Sequence, residues 1–166
     1  MYIYSFFPKM VLIGKLTTEL GIKSPADKFY NLFASQLHHV QNLCERIHGT
    51  KIHEGEEWHD TETIKHWTYV IDGKVHTCLE TIEEVDDVNK KIIYKLFGTD
   101  DIDNHYKQFK LILEVVDKGA HAAVKWTIEF EKVNEDVDPP NGWMDYLSKS
   151  TRDIDGHLIK GEKVAL

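Results

Sequence analysis

Cysteine, positive charge and long hydrophobic runs are all scarce in this sequence. Its two cysteines, Cys44 and Cys78, stand far apart and form no CxxC pair. This usage supports neither a disulfide framework nor a cysteine metal site. It is typical of a reducing compartment, so we predict a cytoplasmic protein. A chain of 166 residues is long enough to bury a core without such cross-links.

Basic residues number 20 against 28 acidic ones, which gives a formal net charge of −8, and they form no stripe. Nucleic acids and anionic membranes are contacted mainly through Lys and Arg, so we expect no nucleic-acid and no membrane partner. The acids gather in the runs 54–62, 80–87 and 100–103. Such runs are typical of a solvated rim that keeps a protein soluble.

Hydrophobic stretches are short: none approaches the about 20 apolar residues of a membrane span. Residues 1–9 are apolar and aromatic, but this segment is too short for a signal-peptide core and lacks a small-residue cleavage site. We interpret residues 1–9 as an N-terminal extension or cloning remnant, residues 10–160 as one domain, and residues 161–166 as a C-terminal tail.

Local patterns predict the first three elements. Val11 to Leu20 is rich in β-branched side chains, which predicts a strand. Ser24 is then predicted to cap a helix whose first turn contains Pro25 and Asp27. A second short helix is predicted over about Leu37 to Cys44.

The rest of the chain predicts a sheet followed by a helix. From Lys51 onward, apolar and polar residues alternate, which indicates strands joined by turns such as Asp72-Gly73. After the linker 134–142, apolar residues recur every three or four positions over 143–158 and predict an amphipathic helix. An antiparallel meander can curve around such a helix, so the predicted fold class is α+β.

The predicted inward row of the sheet is unusually aromatic, whereas the helix offers the small side chains Ser150 and Thr151 in the middle of its stripe. On these residues alone two interpretations stay open: an ordinary aromatic core, and a ligand cavity, since cavities are usually lined in this way. The inward row consists of Trp67, Tyr69, Tyr94, Phe109, Trp126 and Phe130.

Several segments resemble a known plant family. They include LIGKLTTELGIKSPADKFY, HEGE, EEVDD, VKWTIEFEKVNEDV and YLSKSTRDIDGHL. These segments are similar to the major latex protein branch of the Bet v 1-like (pathogenesis-related class 10) superfamily, over about Met10 to Leu158. The resemblance implies a helix-grip fold: a curved seven-stranded antiparallel sheet around a long C-terminal helix, two short helices in a V, and a large cavity.

The resemblance also implies a function. Family members bind steroids, flavonoids, cytokinin-like and lipid ligands, and several relatives catalyse steps of alkaloid or terpenoid metabolism. We therefore expect an intracellular protein of plant defence or specialised metabolism that encloses a small hydrophobic metabolite. The alternative is an enzyme, a cyclase or isomerase acting on a reactive terpenoid or alkaloid intermediate. No cofactor is expected, and we expect a monomer or weak dimer.

One loop departs from the family pattern. Family members usually carry a glycine-rich loop after the position of Glu56, whereas no glycine follows Gly55 here and Glu57, Asp60 and Glu62 occupy the stretch. Backbone amides form an anion cradle less easily without glycine, and the acids would repel phosphate. The loop therefore argues against nucleotide binding.

Other reaction chemistries find little support. The densest metal-ligand cluster, His38 to His53 with Cys44, contains no HExxH or comparable spacing, so no metal is predicted. No GxSxG motif is present. No inward acid or lysine is predicted, and Lys125 is expected to point to solvent, which disfavours Schiff-base chemistry.

Hydroxyl and imidazole groups remain as candidate polar groups of the interior. They could simply satisfy buried hydrogen bonds, or they could orient a ligand. If the protein is an enzyme, Tyr94 and Tyr69 are the predicted proton carriers. The predicted ligand-binding residues are Phe33, His39, Trp67, Tyr69, Thr77, Leu79, Tyr94, Phe109, Leu111, Trp126, Leu147, Ser150, Thr151 and Ile154.

Overall fold

A seven-stranded antiparallel sheet with the order β1-β7-β6-β5-β4-β3-β2 is the frame of the protein. The computed structural model describes the backbone of residues 12–165 and the side chains of residues 12–161. The segment 1–9 and the predicted strand start at Val11 lie outside the described residues. The strands are β1 (Ile13–Ile22), β2 (Ile47–Glu54), β3 (Ile64–Ile71), β4 (Lys74–Asp86), β5 (Lys91–Phe97), β6 (Tyr106–Asp117) and β7 (Ala122–Lys132).

Within the part of the chain that the structure describes, four helical segments of known bounds accompany the sheet. Between β1 and β2 lie α1 (Ala26–Ser35) and a 3₁₀ helix (Leu37–Asn42), which are the two predicted short helices. A single turn, α2 (Asp100–Asp103), connects β5 to β6, and α3 (Asn141–Ala165) is the predicted long C-terminal helix. No helix in the described range is both long and apolar enough to cross a membrane.

The turn between β3 and β4 fixes which side chains face inward. Asp72 and Gly73 have φ values of 52° and 76°, as a two-residue type I′ hairpin requires, so the predicted turn is confirmed. This turn pairs Trp67 with Cys78 and Lys65 with Glu80. Directly opposed residues share a face of the sheet, so the concave face of β4 carries Cys78 and Glu80.

The same register corrects the predicted orientation of β4. Thr77 and Leu79 were expected inside because Val75, Thr77 and Leu79 are the more apolar alternate set. They occupy the other face, and Val75 is 59% exposed. The two-residue turn sets the phase of the strand, and this constraint outweighs the hydrophobic alternation.

Helix α3 lies across the concave face of the sheet and is hydrogen-bonded to it. The indole Nε1 of Trp126 on β7 donates to Oγ1 of Thr151 at 2.8 Å, and the same hydroxyl donates to the carbonyl of Leu147 at 2.7 Å. Both partners are buried. The hydroxyl of Thr151 is therefore already engaged in joining the helix to the sheet.

The predicted cap of α1 is wrong. Helix α1 begins at Ala26 directly after Pro25, and no side chain caps it. The hydroxyl of Ser24 instead donates to Asp155 in α3 at 2.5 Å. A distant carboxylate thus binds the side chain that the local motif assigned to the helix end.

Candidate functional site

A cavity lies between the concave face of the sheet, helix α3 and the 3₁₀ helix. The space outside protein atoms, counted up to the open mouth, is about 610 Å³. Only about 70 Å³ of it is wide enough to hold the centre of a water molecule. On this narrower scale, one bound water needs roughly 10–15 Å³. The interior is therefore several times larger than one water site but narrow, and it suits a small or slender molecule.

Ten of the fourteen predicted binding residues line this cavity, which does not by itself test their role in binding. They come from α1, from four strands and from α3, so elements distant in sequence converge on one space. These ten are Phe33, Trp67, Tyr69, Tyr94, Leu111, Trp126, Leu147, Ser150, Thr151 and Ile154.

The other four predicted residues lie elsewhere. Thr77 and Leu79 are on the far face of β4, as the hairpin register requires. The ring of His39 lies tilted beside the ring of His38, with 4.0 Å between their centroids. Phe109 is buried but is covered by Tyr106 and Trp143, whose ring centroids lie 5.0 and 5.2 Å away.

Eight lining residues were not in the predicted set. Some of them follow from patterns already visible: Trp143 and Tyr146 lie in the first turns of the apolar stripe of α3, and Leu96 continues the inward row of β5. Glu80 gave no such signal, because a charged residue in an acidic run is normally solvent-exposed. The eight are Leu37, Val40, Ile47, Cys78, Glu80, Leu96, Trp143 and Tyr146.

A buried ion pair stands at the β3–β4 side of the cavity. Lys65 is 0% exposed and Glu80 7% exposed, and Nζ of Lys65 lies 3.9 Å from Oε1 of Glu80. Lys65 also donates to the carbonyl oxygen of Trp58 at 3.3 Å. The expectation that no acid or lysine points inward is therefore wrong, and Lys132 is buried as well.

Burial dominates the protonation of this pair. It raises the pKa of the Glu80 carboxyl to about 7, against the opposing influence of Lys65 and of the Trp67 indole. Burial also lowers the pKa of Lys65, while Glu80 acts in the opposite direction. A carboxyl with a pKa near neutrality can gain and lose a proton under ordinary conditions.

The two tyrosines predicted as proton carriers behave differently. Burial, followed by the nearby carboxylate of Glu80, raises the pKa of Tyr94 well above its usual range. Burial also raises the pKa of Tyr69 far above its usual range, and its hydroxyl donates to the carbonyl of Thr77 at 3.4 Å. Both phenols therefore stay protonated at neutral pH and act as hydrogen-bonding groups.

Four buried polar atoms on the cavity wall have no hydrogen-bond partner among the described residues: Trp67 Nε1, Glu80 Oε1, Tyr94 Oη and Ser150 Oγ. The Trp67 indole is close enough to lower the pKa of Glu80, yet it makes no hydrogen bond of acceptable distance and angle. An unpaired buried polar atom costs about 1–3 kcal/mol, so such atoms indicate a place for water or a ligand.

The histidine cluster forms no metal centre in the described part of the chain, where no group of three His, Cys, Asp or Glu side chains could hold an ion. Its members make ring contacts instead: His38 lies 5.5 Å from the Trp58 ring. In the acidic loop, His59 Nε2 accepts a hydrogen bond from the amide of Leu37 at 3.1 Å. The loop thus contacts the 3₁₀ helix, whose Leu37 lines the cavity.

Comparison with known proteins places this fold and cavity in a family. The "Pathogenesis-related protein Bet v 1 family" matches residues 11–161. The chain is 36% identical over 154 residues to MLP-like protein 43 of Arabidopsis thaliana, covering 91% of this chain and 96% of the relative. It is 33% identical over 155 residues to major latex protein 146 of Papaver somniferum, covering 91% and 94%.

Solved structures agree with this assignment. The crystal structure of ginseng major latex-like protein 151 from Panax ginseng superposes with a TM-score of 0.82 at 36% identity, covering 88% of this chain and 97% of that one. A solution structure of a major latex protein family member from Arabidopsis thaliana gives a TM-score of 0.67 at 34% identity, covering 92% and 98%. The chain therefore belongs to the Bet v 1 family and is similar to its major latex proteins in sequence and in fold.

Proposed function

We propose that the protein is an intracellular binder of a small hydrophobic plant metabolite, which it encloses in the cavity under α3. The observation that carries the proposal is the lining: side chains from α1, the sheet and α3 present aromatic and aliphatic surface with a few unpaired polar atoms. Ligand sites are usually apolar spaces with a small number of placed polar groups. Proteins of the Bet v 1 family are known as ligand-binding proteins, which supports the same function.

A neutral fluorescent compound, N-phenyl-1-naphthylamine, tests this proposal. It should bind with a stoichiometry near one per chain and quench tryptophan emission, because Trp67, Trp126 and Trp143 all line the cavity. A wild-type protein that is folded and does not bind the compound would contradict the proposal.

Two variants on neighbouring positions of α3 locate the bound compound. Ser150→Phe places a ring in the cavity and should weaken binding at least about tenfold, since it fills the space that the compound needs. Lys149→Phe adds the same ring at a half-exposed position outside the cavity and should leave binding unchanged. Circular dichroism of each variant checks that it is folded, and equal losses for both would place the compound elsewhere.

A second function, acid–base catalysis, is favoured by one observation. Glu80 is a cavity-wall carboxyl with a pKa of about 7, and enzymes tune carboxyl groups to this range for general acid or base roles. A cyclase or isomerase of terpenoid or alkaloid metabolism is a reaction class that would use such a group. The proton carrier would then be Glu80, because the pKa values of Tyr94 and Tyr69 lie too far above neutrality.

A further inference from the structure

Three of the four unpaired polar atoms of the cavity wall belong to three adjacent strands of the sheet. Trp67, Glu80 and Tyr94 come from the adjacent strands β3, β4 and β5. Glu80 is opposite Lys65 and Leu96, and Tyr94 is opposite Ile82, one inward position along β4 from Glu80. Ser150 is supplied by α3 from across the cavity. The strands β3–β5 therefore form a polar side of the cavity, and Ser150 Oγ is the remaining unpaired polar atom of the described wall.

We propose that this polar side recognises a single neutral hydroxyl group, an alcohol or a phenol, on an otherwise apolar ligand. The inference rests on the proposed binding function and names the chemical class of the ligand. It further predicts the orientation of the ligand, with the hydroxyl toward β3–β5 and the apolar body along α3.

The donor and acceptor pattern selects the hydroxyl. Trp67 Nε1 can only donate, the ionised Glu80 oxygen can only accept, and the hydroxyls of Tyr94 and Ser150 can do either. A group that satisfies both Trp67 and Glu80 must accept one hydrogen bond and donate another. A hydroxyl does both, whereas an ether has no donor and a hydrocarbon has neither.

Charged ligand groups fit less well. A carboxylate would stand beside the carboxylate of Glu80, and like charges at short distance in a buried site repel. An ammonium group offers no acceptor to Trp67 and would compete with Lys65, whose Nζ is 3.9 Å from Oε1 of Glu80. The buried cation thus already balances the charge of Glu80 but is too distant to satisfy it with a hydrogen bond.

Two indole groups of the cavity wall differ in their pairing, and this difference supports a role in ligand binding for the unpaired polar atoms. Trp126 also presents an indole N–H to the interior, but Thr151 accepts it at 2.8 Å. Trp67 has only the carboxylate of Glu80 nearby, and the two groups make no hydrogen bond of acceptable distance and angle. One indole of the wall is thus fully paired, whereas the other stands beside a carboxylate with which a ligand hydroxyl could bridge it.

Four naphthalenes that differ at one position test the proposal on the wild-type protein: 2-naphthol, 2-methylnaphthalene, 2-methoxynaphthalene and 2-naphthoate. Isothermal titration at about pH 8, where Glu80 is mostly ionised, should give 2-naphthol at least about tenfold higher affinity than 2-methylnaphthalene, because a hydrogen bond to a charged group is expected. The methoxy compound and the carboxylate should both bind more weakly than 2-naphthol.

Variants identify the atoms involved. Glu80→Gln, Trp67→Phe and Tyr94→Phe should each reduce the preference for 2-naphthol over 2-methylnaphthalene. Leu111→Val removes only apolar contact from the cavity wall. It should therefore lower the affinities for both compounds by a similar factor and preserve the ratio of the two affinities. Since Glu80→Gln leaves Lys65 without its carboxylate partner and could unfold the protein, the wild-type series and the other two variants are informative without it.

The outcomes separate the inference from the proposed function. Equal affinity for 2-naphthol and 2-methylnaphthalene overturns hydroxyl recognition and leaves hydrophobic binding intact. The same result is expected if the unpaired polar atoms only bind water. Tighter binding of 2-naphthoate overturns the proposal in favour of an anion site. Absence of binding by all four compounds overturns both the inference and the proposed function.

Discussion

The side-chain carboxylate of Asp155 binds Ser24 twice, through the amide nitrogen at 2.9 Å and through Oγ at 2.5 Å. It also accepts the amide of Lys23 at 2.9 Å. Both Asp155 and Ser24 are buried. This contact fastens the β1–α1 connection to α3, the helix that covers the cavity, and a charged acceptor strengthens each bond.

Removing this acceptor should destabilise the fold strongly. Asp155→Ala leaves two amides and a hydroxyl without their partner, so the free energy of unfolding should fall by about 2–4 kcal/mol. Asp153→Ala, two residues earlier, breaks a partly exposed ion pair with Arg46 and should cost at most about 1 kcal/mol. Urea denaturation of both variants measures the difference, and comparable losses would show that the Asp155 contact adds no special stability.

The misassigned Ser24 shows where sequence patterns stop being informative. Alternation, the Asp72-Gly73 turn and the helical stripe are local, and they predicted the sheet, the hairpin and α3. The partner of Ser24 lies 131 residues away, so no local motif could reveal it. In contrast, the aromatic inward residues such as Trp67 and Trp126 were predictable because burial of large apolar side chains follows directly from the strand pattern.

Glu80 was missed for a different physical reason. In a sequence it belongs to an acidic run, and such residues are rarely buried unless paired. The register of the β3–β4 hairpin places it opposite Lys65 on the concave face, and the pairing makes its burial tolerable. Counting residues outward from the Asp72-Gly73 turn, instead of following the more apolar alternate set, would have placed it correctly.

The burial of Glu80 predicts a specific pH dependence of stability. Its pKa is about 7 in the folded protein against an ordinary value of 4.5, so the folded state holds a proton that the unfolded state has released. The contribution of Glu80 to the free energy of unfolding is fully present below pH about 4.5 and is lost as the pH rises through about 7. At about 1.4 kcal/mol per pK unit the loss is about 3 kcal/mol.

Urea denaturation at pH 5 and pH 7.5 measures this effect. The wild type should be less stable at pH 7.5, and Glu80→Gln should remove most of the difference. Glu83→Gln changes the net charge equally, but Glu83 is half-exposed beside Lys110, so this control should keep the wild-type pH dependence. A difference that persists in Glu80→Gln would assign it to another group.

The placement of Leu79 outside the cavity can be tested through Gly98. Gly98 and Gly119 have nearly the same positive φ, 85° and 86°, but a Cβ on Gly98 would lie 2.6 Å from Leu79 Cδ1, whereas a Cβ on Gly119 would meet nothing within 4 Å. Gly119→Ala should therefore cost only the backbone strain, about 1–2 kcal/mol. Gly98→Ala should cost more, and thermal or urea unfolding compares them.

A second substitution completes this test. Leu79→Ala in the Gly98→Ala background should recover part of the loss, because the shorter side chain relieves the contact. The same Leu79→Ala substitution should leave the affinity for N-phenyl-1-naphthylamine unchanged, since Leu79 does not line the cavity. A marked loss of affinity would show that Leu79 does contact the bound compound.

The last prediction separates Glu80 from the tyrosines as proton carriers, using the base-promoted ring opening of 5-nitrobenzisoxazole. In this reaction a base removes the ring C–H proton while the N–O bond breaks, and no cofactor is needed. The compound is small and flat, as the cavity requires.

The ionised form of Glu80 is the active one, so the rate should rise with pH and level off above about 7. Glu80→Gln should lower turnover by about 10²–10⁴-fold. Tyr94→Phe and Tyr69→Phe keep ring volume and lose only a hydroxyl, so each should change turnover by about tenfold or less. A wild-type rate no higher than that of Glu80→Gln would mean that the carboxyl is not positioned to act as a base. The cavity would then serve for binding alone, because the only interior group on the described wall with a pKa near neutrality would be catalytically silent.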